Sequence, residues 1–287
     1  MSVTVIGEAF IDVIVPAWSI KRGETYHREI RIFVGGLANV AIEISKMGEE
    51  AKFIGKIGED PFGMFLRQTL KQYGVKDLIF VDKILQTGLC ISLVYEGGER
   101  TMIADRGAND NLSTEEIESC IDEIRSSKIA YFSGYSLQRG KTKESVLKCI
   151  EDCHEHGVEI YFNPGAPNLI KKDFREIIRN FIDVLILNED EAKKLTRGGD
   201  TTFESLNELV DLAVVTKGKY GCTLIKNGNA VNVKTKEIKV QNTTGAGDAF
   251  SAGFIVGKLR GMDDIECAKL GNQTAAKFLE ERKEVFK

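Results

Sequence analysis

The residues whose types and spacing most plainly allow chemistry are Thr243-Thr244-Gly245-Ala246-Gly247-Asp248-Ala249-Phe250. They stand between an extended run, EIKVQ, and a stretch rich in small residues, AFSAGFIVGKL, so the segment reads as a strand, a glycine turn and a helix start. The first N–H groups of a helix have no intrahelical partner, and the helix dipole favours anions at that end. Glycines let the backbone approach a ligand without a Cβ in the way. The spacing therefore predicts a phosphate cradle with the Asp248 carboxylate in the first helical turn beside it. Such a carboxylate can accept a hydroxyl proton as that oxygen attacks phosphorus. Taken alone, Asp248 reads rather as an N-terminal acid that stabilises the dipole; the glycine context turns the reading toward chemistry. Phe250 stands where a dinucleotide-binding fingerprint needs a third glycine or alanine, and no G-x-x-x-x-G-K-[ST] occurs, which argues against both a nicotinamide oxidoreductase and a P-loop kinase.

A turn of this kind needs a sheet to hold it. Short apolar or β-branched runs recur along the chain with helical stretches between them: VTVIGE, AKFIGKIG, KIAYFSG, VEIYFNP, DVLILN and AVVTKG. The alternation predicts an α/β fold with a doubly wound, mainly parallel sheet, whose ligands bind beyond the carboxyl ends of the strands. Helical apolar spacing marks 38–47, 61–73, 143–156 and 249–260, and Ser113 followed by Glu116 predicts a capping box at the start of a helix over 114–126. Two segments, 10–33 and 87–105, leave no room for a covering helix. TGLCISLVY, EGGE and RTMIAD read as a hairpin with Gly97 and Gly98 in its turn. We expect these segments to form a small β-sheet lid inserted in a single domain of 287 residues, the alternative being strands that extend the main sheet.

Composition narrows the class. A hydrophobic fraction of 43% with 29% charged residues is ordinary for a globular protein, and no run approaches the length of a membrane span. MSVTVIGEAFID enters a strand directly, which predicts a cytoplasmic start. A net charge of −4 offers no basic field for a nucleic acid polymer. Six scattered cysteines at 90, 120, 149, 153, 222 and 267 predict buried thiols rather than a disulfide framework. Cys149 and Cys153 lie near His154 and His156, but no second ligand pair accompanies them, so the plain reading of that cluster is structural.

With these motifs placed, the chain resembles the ribokinase-like carbohydrate kinases, also called the phosphofructokinase B family, from about residue 3 to residue 280. TTGAGDAF at 243–250 is similar to the family's C-terminal signature. VGGLANVAIEISKMG, continuing to FIGKIGEDPFG at 53–63, is similar to its N-terminal one. The resemblance implies a Rossmann-like core with a β-lid and an ATP-dependent phosphotransferase using Mg²⁺. It makes Asp248 the catalytic base and Gly245, Ala246 and Gly247 an anion hole for the transferring phosphoryl group. Asn188 and Glu191, in LNEDEA, match an N-x-x-E motif linked to nucleotide and Mg²⁺; read alone they are a helix cap and a capping-box acid. Thr216 and Gly218, in VVTKGKYG, match a turn that contacts nucleotide. For the acceptor, Asp12 in GEAFID could take hydrogen bonds from two sugar hydroxyls. Gly35, Gly36 and Asn39 match a substrate-contacting G-G and N. Arg106 in DRGAND would reach a polar or anionic part of the substrate or else lie at the surface, and Asn109 would stabilise a turn or the pocket.

Three departures from the family pattern stand out. The gap between Gly36 and Asn39 is one residue short, Asn163 replaces an aspartate in FNPGAP, and Asn242 replaces another just before the glycine turn. The resemblance links that last aspartate to an activating monovalent cation, so only a weak response to potassium is expected. The acceptor implied is a sugar or sugar-derived polyol, with a nucleoside as the second choice. A non-catalytic nucleotide or sugar sensor is the rival of a different class. A homodimer through the lid completes the expectation.

Overall fold

The computed structural model describes residues 1–287 except 18–19, 21–22, 24–29, 96–99, 171–172, 197–201, 239–242 and 286–287, and the side chains of 202 and 283–285. The strands in chain order are β1 (Ser2–Ile6), β2 (Ala9–Pro16), β3 (Arg31–Gly36), β4 (Glu50–Ile54), β5 (Lys56–Gly58), β6 (Lys76–Asp77), β7 (Phe80–Asp82), β8 (Gly88–Val94), β9 (Arg100–Asp105), β10 (Ile129–Ser133), β11 (Glu159–Asn163), β12 (Val184–Asn188), β13 (Leu212–Thr216), β14 (Cys222–Lys226) and β15 (Asn229–Val233). The helices are α1 (Ala38–Lys46), α2 (Pro61–Gln72), α3 (Thr114–Glu118), α4 (Ile121–Arg125), α5 (Gly140–Glu155), α6 (Phe174–Phe181), α7 (Glu189–Leu195), α8 (Thr202–Asn207), α9 (Ala246–Leu259) and α10 (Asp264–Val285).

The apolar runs become the inner strands of a sheet ordered β15-β14-β13-β12-β11-β10-β1-β4-β6. From β13 to β6 every pairing is parallel, and the β13–β14 and β14–β15 pairings at one edge are antiparallel. Strands buried on both faces need apolar residues on both, which is why the sequence shows unbroken runs rather than alternation. Val3 and Val5 of β1 face one core with α1, α2, α9 and α10, whereas Ile6 faces the other with α3 to α8. Helices thus cover both faces, as a doubly wound sheet requires.

Local signals set the helix starts. Asp60 caps α2 by accepting from the Gly63 N–H at 2.8 Å, with Pro61 in the first turn. The capping box of Ser113 and Glu116 forms as expected. The single helix expected over 114–126 does not. It breaks into α3 and α4 at Ser119 and Cys120, where the Ser119 hydroxyl donates to the Glu116 carbonyl at 2.7 Å and competes with helix continuation. Helix α9 begins at Ala246, three residues before the apolar spacing starts, which brings Asp248 inside its first turn.

The segments expected as a lid form a separate sheet ordered β3-β2-β8-β9. They do not extend the main sheet. β2 pairs antiparallel with β3 and parallel with β8, and β8 pairs antiparallel with β9. The turn assigned to Gly97 and Gly98 lies outside the described residues. Directly paired residues share a face, so Phe10 and Asp12 of β2, Phe33 and Gly35 of β3, Cys90 of β8 and Ala104 of β9 look the same way. Among the described residues no helix is long and apolar enough to cross a membrane.

Candidate active site

The parallel strands all end on one edge, and the last residues of four of them line a cleft of about 680 Å³. Ser133 closes β10, Asn163 closes β11, Asn188 closes β12 and Thr216 closes β13; each borders the cleft. Across from them the lid contributes Phe10, Asp12, Gly36, Cys90, Arg100 and Met102, followed by Arg106 just past β9. The floor between the two sheets is Asn39, Thr244, Gly245, Gly247 and Asp248.

The glycine turn has the geometry expected of a helix start held open to a ligand. Gly245 caps α9 with φ +83°, a left-handed conformation that strains any residue with a Cβ. A Cβ there would also come within 2.8 Å of the Phe278 ring. The Ala246 N–H donates back to the Thr243 carbonyl at 3.2 Å, so it closes the turn rather than facing the cleft. Around Gly247 nothing lies within 4 Å of a Cβ position, so that side of the turn is open. Asp248 is half-buried, open toward the cleft, and takes a hydrogen bond from the Asn39 side chain.

Asn39 is held by the chain reversal at Gly35 and Gly36. Gly36 has φ +66°, and a Cβ on it would strike the Glu8 carbonyl at 2.5 Å. The Leu37 N–H donates to that same carbonyl at 3.0 Å, which locks the lid strand to the start of α1. Gly35 leaves its space to Asp12, whose carboxylate would lie 2.3 Å from a Cβ there. The two glycines thus admit a carboxylate and a backbone carbonyl, and Gly36 also borders the cleft.

Three carboxylates meet in this space. Desolvation is the largest influence on Asp248 and, with the neighbouring charge of Asp12, pushes it up to about 7; Asn39 and Arg282 act in the opposite sense. Asp12 is pushed up to about 6 by desolvation, against the pull of Arg282 and Arg100. Glu8 is raised by desolvation although Arg106 lies 3.7 Å away and the Ser133 and Ser136 hydroxyls donate to it at 3.1 and 2.8 Å. A base poised near neutrality suits proton transfer at physiological pH.

At the other end, Asn188 caps α7 by accepting from the Asp190 and Glu191 N–H groups at 3.0 and 2.9 Å. Glu191 in turn accepts from the Asn188 N–H at 2.9 Å and the Asn188 side-chain amide at 2.7 Å. Asn163 donates to Glu191 at 3.4 Å. Glu191 is nonetheless pushed up to about 7, mainly by desolvation. Thr216 borders the cleft, whereas Gly218 opens a 3₁₀ turn that does not. Arg106 lines the cleft, donating from Nε to Asp110 at 2.5 Å while its Nη2 has no hydrogen-bond partner. Asn109 binds both backbone groups of Ala9 at 2.8 and 2.9 Å, so it fastens the lid to the core. Asn242 lies outside the described residues. His154 packs edge-on against Phe181, and no metal-ligating cluster occurs among the described residues.

The sequence reading missed Glu8, Arg100 and Arg282. Glu8 stood in the same GEAFID motif as Asp12. Arg100 faces the cleft by its register opposite Val94 and donates to the Thr244 hydroxyl at 2.9 Å. Arg282 carries no motif; its only signal is its place one helical turn after Phe278.

Comparison with known proteins decides the identity of this constellation. The profile of the pfkB family carbohydrate kinases matches residues 1–284. The chain belongs to that family. An uncharacterized sugar kinase of Archaeoglobus fulgidus is 31% identical over 83% of this chain and 94% of its own length. An ATP-dependent 6-phosphofructokinase of Thermoanaerobacterium thermosaccharolyticum is 26% identical over 96% and 86%. Among solved structures, adenosine kinase from Sinorhizobium meliloti superposes with a TM-score of 0.89 at 26% identity, covering 97% of this chain and 94% of that one. This member of the family is an ATP-dependent carbohydrate kinase, and its fold is ribokinase-like.

The raised carboxylates bear on stability. A carboxyl whose midpoint rises from 3.8 to about 7 on folding holds its proton better in the folded chain. That preference weakens the fold as pH rises through this window, and the full cost is present above it. Asp248→Asn is expected to unfold at higher urea than the parent at pH 8, by about 1–3 kcal/mol, with the gap closing below about pH 4. Equal stability at pH 8 would show the carboxylate to be solvated.

Proposed function

We propose that the kinase phosphorylates a hydroxyl of a sugar or sugar-derived polyol, with Asp248 as the general base and Asp12, Asn39 and Arg106 orienting the acceptor. The observation that carries this reading is the meeting of Asp248, at an open helix N-terminus, with the buried Asp12 in one cleft. Acceptor hydroxyls bridge Asp12 and Asn39, leaving one of them against Asp248. That hydroxyl gives its proton to the Asp248 carboxylate as its oxygen bonds to the γ-phosphorus of ATP. The bond from that phosphorus to the ADP oxygen breaks, and ADP leaves with the electron pair. The backbone around Gly245 and Gly247 and the dipole of α9 meet the charge on the transferring group. The Ala246 N–H, being engaged in the turn, contributes through turn geometry.

Nucleotide fits the strand ends at Thr216 and Asn188, with Gly218 shaping the turn behind them. Mg²⁺ suits the same end. Asn188 and Glu191 are too fully engaged with each other for a closed set of direct ligands, but a carboxylate pushed up to about 7 by burial gains from a hydrated cation beside it. Asn188 and Glu191 would hold such an ion through its waters, and the ion would supply neutralisation of phosphate charge. A nucleoside is the second reading, supported by the likeness to an adenosine kinase. Six cysteines, all free thiols, agree with a cytoplasmic setting.

The lid has a second face. Ile32 and Ile103 are exposed there, beside the half-buried Val15, Ile91 and Leu93. Apolar residues outside a lid invite a partner, and a second copy of the chain meeting lid to lid would cover them. Solution scattering is expected to give a dimer mass, and Ile103→Glu a monomer. A monomer for the parent at high concentration would remove the dimer and leave the lid untouched.

Turnover tests the chemistry. Asp248→Asn keeps the shape and removes the basic oxygen, so kcat should fall by about 10²–10⁴ with nucleotide binding little changed. The assay is a panel of sugars, polyols and nucleosides with ATP and Mg²⁺, read by ADP release. Near-normal turnover by the folded variant would return Asp248 to a mere dipole partner, and activity on no acceptor would favour a sensor. In the same assay, replacing tetramethylammonium by potassium should change the rate little, since Asn242 offers a neutral amide where a carboxylate would hold the cation. A steep rise would overturn that.

A further inference from the structure

Arg282 lies far from every motif in the sequence yet reaches the centre of the site. It stands near the end of α10, and its guanidinium is stacked between two rings, 4.6 Å from the centroid of Phe33 and 4.5 Å from that of Phe278. Phe33 belongs to β3 of the lid and is paired directly opposite Asp12. Phe278 sits one helical turn before Arg282 and fills the space a Cβ on Gly245 would need. The Nη1 of Arg282 donates to the Thr244 carbonyl at 3.3 Å, while Arg100 of the lid donates to the hydroxyl of the same Thr244 at 2.9 Å. Two cations from two elements therefore hold the residue that opens the glycine turn.

The charges that face Arg282 come from three elements. Asp12 faces it from β2, Glu43 from α1 and Asp248 from α9, and all three act to keep it protonated against desolvation. Arg100 of β9 adds its own charge at Asp12, and Glu8, just beyond β1, adds a negative one at Asp248. Glu43 is paired with Lys46 at 2.9 Å, and Glu281, next to Arg282 on α10, is paired with the same lysine at 2.9 Å. Asp12 and Asp248 are left as the carboxylates for which Arg282 supplies the counter-charge.

We propose that Arg282 is a positioning residue of the site: it ties the glycine turn to the lid through Thr244 and Phe33 and supplies the positive charge that the Asp12 and Asp248 pair requires. The kinetic side rests on the reading of Asp248 as base; the electrostatic side does not. Arginine suits the place because its planar guanidinium stacks on rings while keeping its charge when buried. A methionine would fill much of the same space without charge, and a lysine would return the charge without the planar fork.

The test compares Arg282→Met, Arg282→Lys and Asp248→Asn with the parent by the pH profile of kcat/KM and by carbon NMR titration of the aspartate carboxyls. A nearby opposite charge lowers a carboxyl midpoint by about 1–3 pH units, less where water shares the site. Arg282→Met should therefore move the acid limb of kcat/KM upward by about one pH unit, losing about tenfold more activity at pH 6 than at pH 8.5. Arg282→Lys should return most of the shift. The NMR midpoints of Asp12 and Asp248 should rise in the methionine variant by a comparable amount. Loss of activity that is uniform across pH in both variants, with unmoved carboxyl midpoints, would overturn the proposal and make Arg282 a packing residue only. If Asp248→Asn turns over normally while Arg282→Met still raises the midpoints, the base reading fails and the counter-charge assignment stands. If the midpoints stay where they are, the Arg282 assignment fails whatever Asp248→Asn does.

Discussion

Keeping the buried carboxylates of Glu8 and Asp12 in one cleft with the half-buried Asp248 is the constraint on which the site depends. Each would be better solvated at the surface, and Asp12 and Glu8 both raise the cost of charging Asp248. The surroundings answer each in turn. Two hydroxyls and a nearby guanidinium serve Glu8, Arg282 and Arg100 serve Asp12, and Asn39 with Arg282 serves Asp248. The residual imbalance is useful, because a carboxylate held near neutrality can both take a proton and release it. Ordinary acids on a solvated helix end would do neither at neutral pH.

The same constraint explains why the lid is anchored where it is. Asp12 belongs to the lid and Asp248 to the core, so the pair exists only while the two sheets keep their relation. Asn109 fixes the start of β2 through both of its backbone groups, and the chain reversal at Gly36 lets β3 pass against the Glu8 carbonyl before entering α1. These are contacts of backbone with backbone or amide, which tolerate little displacement. The lid is thereby registered to the strand ends by the same few residues that present Asp12 and Asn39.

Much of this was legible in the sequence, and the part that was not has a physical reason. Unbroken apolar runs revealed the parallel strands because both faces of such a sheet are buried, and the lack of room for a covering helix in 10–33 and 87–105 revealed the separate lid. Ser113 with Glu116 and Asn188 with Glu191 could be read because capping is local, and both form as capping boxes. The break between α3 and α4 was missed because a serine hydroxyl returning to a carbonyl competes with the helix at a position where apolar spacing continues. Arg282 was missed because its meaning is entirely tertiary: it gains its partners from β2, β3, α1 and α9, which no local pattern on α10 encodes. Gly35 and Gly36 were legible as special positions, but not the reason for them, which is room for Asp12 and for the backbone at Glu8 and therefore tertiary.

Thr244 is where the lid and α10 both take hold of the glycine turn. Phosphoryl transfer asks the enzyme chiefly for position, since the transferring group brings its own reactivity. The turn proposed to face that group contains glycines for approach, and glycines by themselves leave a turn loosely determined. Here the determination comes from outside the turn. Phe278 packs against Gly245 from α10, Arg282 holds the Thr244 carbonyl, and Arg100 holds the Thr244 hydroxyl from the lid. The glycines can therefore serve close approach while neighbouring elements supply rigidity. Because one of those holds comes from the lid that also carries Asp12, the proposed acceptor end of the cleft and the glycine turn are set by a single arrangement of the two sheets.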